Sequence, residues 1–285
     1  MRIGSWQVLT VLEGSFLLDG GSMFGIVPRP LWSRYHQPDE NNRIVMALRA
    51  LLLMGHDRKI LVDCGIGKRF DDKQQKIYGY RPTPGGMEGI LEKLGVSTAD
   101  ITDVIASHLH FDHVGGMLTR RQDGELEPSF GGATVHVQQE CWDWARSPSE
   151  WDQGSFFAGD FDVWEKKLDI RLIEGDTEIA PGVKVKMTGG HTPGQQIVVV
   201  EEGPGALVYC ADLIPTAAHI RLPYIMAYDH RPLYTLEEKK VLLARALEEN
   251  WVLVFEHDPG LTACRLEERD GKVLPGEKVC VNMPA

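Results

Sequence analysis

Apolar residues fall along the chain in short alternating or continuous runs. These predict strands at residues 7–12, 44–54, 59–62, 103–106, 134–137, 183–187, 197–200, 206–209 and 252–255. Most of the runs end at Gly, Asp, Asn or Pro, residues that interrupt a strand. Helical periodicity is clearest over 235–250, where Leu236, Val241, Leu242, Ala244 and Leu247 recur among Glu, Lys and Arg. Shorter helices are expected over 86–94 and around 138–145. Strands in both halves with helices between them imply a layered α/β architecture, with sheets covered by helices. No repeat, low-complexity tract or linker divides the chain, so residues 1–285 read as a single domain. Two stretches, 19–41 and 212–232, resist regular assignment, and long irregular segments in a compact domain are more often functional than accidental.

Composition narrows the class. Hydrophobic residues make up 43% and charged residues 25% of the 285 positions, which excludes disordered and collagen-like chains. With 41 acidic against 30 basic side chains the net charge is −11, so a nucleic-acid partner would be repelled on average. No apolar run approaches the roughly 18 residues of a membrane span. The first apolar stretch is broken by Glu13 and Gly14 with no small-residue cleavage site after it, which argues against a signal peptide and for the cytoplasm. The cysteines (Cys64, Cys141, Cys210, Cys264 and Cys280) are odd in number and contain no C-x-x-C pair, as expected of reduced thiols. A metal would therefore use histidine and carboxylate.

Such a set is present in His108-Leu109-His110-Phe111-Asp112-His113, directly after the apolar run 104–106. In an extended chain His108, His110 and Asp112 point to one side, and a turn after Asp112 would send His113 toward a second centre. Imidazole nitrogen and carboxylate oxygen suit zinc and similar divalent ions. His191, Asp212 and His257 each follow an apolar run as well, and strand ends along one rim of a layered sheet converge on a single site.

With these residues the sequence resembles the metallo-β-lactamase superfamily. Val62-Asp63-Cys64-Gly65 matches its early aspartate motif, 108–113 its H-x-H-x-D-H motif, 190–194 its G-H-T-P-G turn, and Asp212 and His257 its later ligands. The resemblance implies a four-layer αββα sandwich. It also implies two divalent ions, zinc with manganese, iron or cobalt as alternatives. His108, His110 and His191 would hold one ion and Asp112, His113 and His257 the other, with Asp212 between them and Asp63 orienting a ligand histidine or its loop. Two such ions lower the pKa of a bridging water and polarise an electrophilic oxygen, which is hydrolytic chemistry with Asp112 as the acid/base. His110 stands where the family's di-iron branch has glutamate, which disfavours oxidoreduction.

The flanks refine the resemblance. Residues 20–33, 211–216 and 224–229 look like segments of the YtnP-type quorum-quenching lactonases, a branch similar to the methyl parathion hydrolases. The implied substrate is an N-acyl homoserine lactone, and the alternatives are an arylester or phosphotriester, a thioester, or mononuclear iron dioxygenase chemistry. Met23, Phe24, Trp32, Leu222, Tyr224 and Met226 are candidates to wall an acyl pocket. The family's tyrosine three residues after the bridging aspartate is replaced by Pro215. The oxyanion helper therefore passes to Tyr228, Tyr224 or His219, or to the metal alone. Gln195 stands where many relatives carry a histidine that is not a ligand. His36, His56, His136 and His230 are expected to be surface or satisfied structural residues, Trp142, Trp144 and Trp151 are expected to pack, and the irregular, apolar N-terminal segment is a candidate homodimer contact.

Overall fold

A computed structural model describes residues 1–203 and 205–281; Pro204 and the last four residues of the 1–285 unit lie outside it. Two sheets are stacked face to face. The first has eight strands, ordered Arg2–Ile3, Trp6–Asp19, Arg43–Gly55, Arg58–Val62, Asp103–Ile105, Thr134–Gln138 and Asp169–Ile173, with Arg81–Pro82 paired beside Trp6–Asp19. The second has seven, ordered Thr177–Ala180, Val183–Thr188, Gln195–Glu201, Ala206–Tyr209, Val252–Val254, Ala263–Arg269 and Lys272–Lys278.

The two-residue period of a strand explains the layering, because successive side chains must face opposite sides. Leu51, Leu53, Ile60 and Val62 face inward onto Val183, Val185, Val198, Val200 and Val252 of the second sheet. Their neighbours Ala50, Leu52 and Leu61 face outward, under Met87 and Leu91 of helix Gly86–Lys93 and Trp142 of helix Gln139–Arg146. On the far side, Ile197, Val199, Val208 and Leu253 pack against Leu242, Leu243 and Ala246 of helix Pro232–Glu248. The result is the four-layer αββα sandwich.

The differences from the sequence reading have local causes. Strand Trp6–Asp19 runs well past residue 12, because a register shift between Leu12 and Gly14 sets the polar Glu13 inside a continuing ladder. Strands Asp169–Ile173, Thr177–Ala180, Ala263–Arg269 and Lys272–Lys278 lie at or near sheet edges, where half-exposed positions leave no apolar run to read. Helices Asp72–Tyr78 and Phe161–Lys167 are short, and the first buries none of its residues. The two irregular stretches do contain structure: helical turns at Gly20–Phe24, Arg29–Trp32, Ala211–Leu213 and Ala217–Ile220.

Glu13 makes a testable thermodynamic mark. It is buried with Tyr80 donating its hydroxyl to it, and burial pushes its carboxyl up to about 7 against that bond and the N–H groups of Gly67 and Ile66. A carboxyl raised on folding adds stability that is full below its unfolded value of about 4.3 and is lost as pH rises through about 7. The Glu13→Gln variant should therefore lose less stability than the parent between pH 5 and 8. Urea midpoints across that range would show parallel curves instead if the carboxyl were not neutralised by folding.

Candidate metal centre

The site is assembled by topology. Strands Arg58–Val62 and Asp103–Ile105 are parallel neighbours, as are Ala206–Tyr209 and Val252–Val254. Their C-terminal ends therefore open on one rim, placing Asp63 beside Ser107 and bringing Asp212 and His257 to one side. Strand Val183–Thr188 delivers His191 through a tight turn in which only glycine fits at 190, since a Cβ there would lie 2.3 Å from Thr235 Oγ1. Asp63 and Ala211 both adopt positive φ, 55° and 44°. Such conformations in non-glycine residues are held against a cost of about 1–3 kcal/mol by the surrounding bonds. The H-x-H-x-D-H segment differs from its sequence reading in one respect. The helical turn Phe111–Val114 starts before Asp112 rather than after it, so Asp112 and His113 leave the chain together from one turn.

Three groups of ligand-type side chains result among the described residues, one of them Asp63, His113 and Glu256 on the Nδ1 side of His113. The ligand atoms of His108, His110, His191 and Asp212 lie within 4.8 Å of one another, and so do those of Asp112, His113 and His257. His110 Nδ1 is 3.0 Å from His108 Nε2 and 3.2 Å from His191 Nε2, while His113 Nε2 is 3.3 Å from His257 Nε2. Asp212 spans these last two groups, with Oδ2 3.2 Å from His191 Nε2 and Oδ1 3.1 Å from His257 Nε2. Asp112 Oδ2 stands 3.6 Å from His257 Nε2 and 3.8 Å from His113 Nε2.

The donor set fits divalent cations. Atoms held 2.0–2.1 Å from a tetrahedral ion stand about 3.3 Å apart, close to the spacing here. Burial and the neighbouring imidazoles hold His108 and His110 well below the usual histidine range, leaving them neutral with lone pairs to offer. The far nitrogens fix the tautomers. His191 Nδ1 donates to Asp229 Oδ1 at 2.9 Å, His257 Nδ1 to Ala47 O at 2.8 Å, and His113 Nδ1 to Asp63 Oδ2 at 3.0 Å. Burial pulls these three down, but the neighbouring carboxylates outweigh it and push them up, His257 to about 9; with a cation bound in place of the extra proton each would turn an Nε2 lone pair inward. Asp63 also accepts from Ser107 N, Ser107 Oγ and Tyr209 OH, so it holds both the ligand loop and a ligand histidine.

A cavity of about 130 Å³ opens onto these residues. His110, Asp112, His191, Asp212 and His257 form its polar side, and Leu18, Met23, Tyr78, Phe111, Met226 and Tyr228 its apolar side. A larger cavity of about 680 Å³ beside Glu13 contains none of the seven ligand-type residues. The candidate helpers part company here. Tyr228 lines the site cavity, and burial pushes its hydroxyl up to about 12, so it stays protonated. His219 does not line it. Its Nδ1 is bonded to Thr216 Oγ1 and its Nε2 to Met23 O, both at 2.8 Å, and its ring stacks on Phe24. Burial pushes it down to about 3, so it is a neutral strut between two loops.

Of the expected pocket wall, Met23 and Met226 line the cavity. Phe24 and Trp32 stack on each other in the loop core, Tyr224 packs edge-on against Phe24, and Leu222 joins the outer helix core. Trp151, expected to pack, is instead 73% exposed at the cavity mouth, while Asp152 beside it is buried and accepts from Trp144 Nε1 and Ser149 Oγ. His136 is structural, bonded to Asp103. Sequence reasoning missed Ser107, Tyr209, Asp229 and Glu256 as partners of the ligand groups; Ser107 and Glu256 each adjoin a ligand, the one local signal available. It also missed Lys239, buried and pushed down to about 7 by that burial, whose Nζ donates to the carbonyls of Arg221, Leu222 and Tyr224 and so braces the loop that carries Met226 and Tyr228.

Stacked sheets, outer helices and a histidine–aspartate basket at one rim define the scaffold class of the metal-dependent hydrolases. The chain belongs to the metallo-beta-lactamase superfamily, whose family model matches residues 49–257. It is 30% identical over 190 residues to an N-acyl homoserine lactonase of Bacillus cereus and 28% over 189 residues to one of a Bacillus species, covering 65% of each chain in both cases. The match thus spans less than two thirds of those relatives. Among solved structures, a probable metal-dependent hydrolase from Staphylococcus aureus superposes with a TM-score of 0.84 at 27% identity, over 98% of this chain and all of that one. AidC, a dizinc quorum-quenching lactonase in complex with a product, superposes at 0.80 with 19% identity over 99% and 97%, a likeness of fold.

Proposed function

We propose that this single-domain chain is a metal-dependent hydrolase that opens lactone rings, with N-acyl homoserine lactones as substrates and quorum quenching as the consequence. The observation that carries the reading is the basket itself: five imidazoles and the carboxylates of Asp112 and Asp212 gathered within ligand distance of one another beside a half-apolar cavity. His108, His110 and His191 would hold one divalent cation, Asp112, His113 and His257 a second, and Asp212 both, with zinc the ion best matched to this donor set. Cations so held supply Lewis-acid polarisation of the substrate carbonyl and a coordinated water acidic near neutral pH.

The chain's own residues do the rest. Asp112, beside both the second ligand group and the cavity, takes the proton of the attacking water and returns it to the ring oxygen as the ring C–O bond breaks. The products balance as one hydroxy acid per lactone and water, with a proton released at neutral pH. Tyr228, protonated and on the cavity wall, takes the donor role that Pro215 cannot fill. Leu18, Met23, Tyr78, Phe111 and Met226 exclude water and contact the acyl chain. Cys64, Cys141, Cys210 and Cys264 are unpaired and buried, in keeping with a reducing cytoplasm.

A panel of acyl homoserine lactones, arylesters, phosphotriesters and thioesters, followed by proton release, tests the reading. Lactones should give the largest kcat/KM. A larger value on phosphotriesters or arylesters would move the assignment to that chemistry, and a metal-loaded protein inert on every lactone would end it.

A further inference from the structure

His113 differs from the other ligand-type histidines in what stands behind it. His191 Nδ1 meets one carboxylate and His257 Nδ1 a neutral carbonyl, but His113 Nδ1 meets two carboxylates: Asp63 Oδ2 at 3.0 Å and Glu256 Oε2 at 2.9 Å. The two are not equivalent. Asp63 spreads its charge over four donors, including Ser107 N at 2.7 Å and Ser107 Oγ at 2.6 Å. Glu256 is 1% exposed, its carboxyl faces His113 and the Tyr209 hydroxyl, and its Oε2 makes no well-aligned hydrogen bond. Of these two neighbours His113 is the one that belongs to a ligand group of the basket. A carboxylate behind a ligand histidine fixes the ring, makes the inward nitrogen a stronger donor, and adds anionic charge near the cation.

We propose that Glu256 is a positioning residue acting through His113, and that it selectively strengthens cation binding by the Asp112–His113–His257 half of the centre. The inference rests on the reading of the site as a two-cation centre. It makes the halves unequal, with the His113 half depending on a buried carboxylate adjacent in sequence to His257. The backbone around Glu256 is held independently of its side chain, because the buried Arg49 guanidinium donates to the carbonyls of Phe255, Glu256 and Asp258. Removing the carboxylate should thus leave the strand end in place.

The test titrates cobalt(II) into the metal-free full-length protein and its Glu256→Gln variant. Visible absorption is read in competition with a chelator, and the melting temperatures of both metal-free proteins are recorded. One of the two binding steps should weaken about 10–100-fold in the variant, the scale typical for losing a partner of a ligand histidine. The other should stay within twofold, the cobalt spectrum of the weakened step should change, and the metal-free melting temperature should not fall. Glu256→Asp should recover part of the affinity, and it serves as the second reporter if the glutamine variant does not fold. Two binding steps both within twofold of the parent would overturn the proposal, as would equal weakening of both, which marks a general structural role. A parent protein that binds cobalt at neither step overturns the two-cation reading itself, and this inference with it.

Discussion

Asp112→Asn should lower kcat/KM for lactone hydrolysis by about a thousandfold while the protein remains folded. The amide matches the carboxylate in shape, and Asp112 sits on the short turn Phe111–Val114 with its side chain on the cavity, so the sandwich core does not depend on its charge. Two losses combine at the site. The amide cannot take up and return a proton, a role worth about 10²–10⁴ in rate. It is also a weaker, neutral ligand beside His113 and His257. Proton-release rates with cation in excess separate the two, because saturation restores the ligand loss and leaves the proton-transfer loss. An asparagine variant within tenfold of the parent at saturating cation would remove Asp112 from the reaction.

Removing bound cations should abolish hydrolysis and lower the melting temperature, with both recovered on adding zinc, manganese or cobalt. Asp112, Asp212, Asp63 and Glu256 are all buried within a few ångströms of five imidazoles, and such a concentration of polar groups is costly to desolvate without a cation to join them. A ligand bound only by the folded state adds about 4 kcal/mol when present at a thousand times its dissociation constant. The loss on chelation should therefore be several degrees in a chain of this size. Calorimetry with and without chelator measures it. Unchanged melting and unchanged turnover after exhaustive chelation would show that the basket neither holds cations nor needs them.

Much of this centre was legible from residue order. Ligand-type residues at the ends of apolar runs report the strand rim directly, because strand ends must turn there and parallel neighbours bring those turns together. The central strands were legible for the same reason, since burial on both faces demands apolar runs such as 44–54 and 197–200. Edge strands such as Lys272–Lys278 were not, because exposure relaxes their pattern. Nor was the fate of His219, whose loop approaches the site while both its nitrogens bond elsewhere. Partners such as Asp229 and Tyr209 lie far along the chain from the histidines or carboxylates they touch, at separations of 38 and 146 residues, and pair with them only through the fold.

Anomalous diffraction from crystals of the purified protein, recorded at the absorption edge of the bound element, tests the central claim most directly. Two peaks should stand in the basket, one among His108, His110 and His191 and one among Asp112, His113 and His257, with Asp212 reaching both. Crystals that show no peak there even after soaking in zinc or manganese would contradict it.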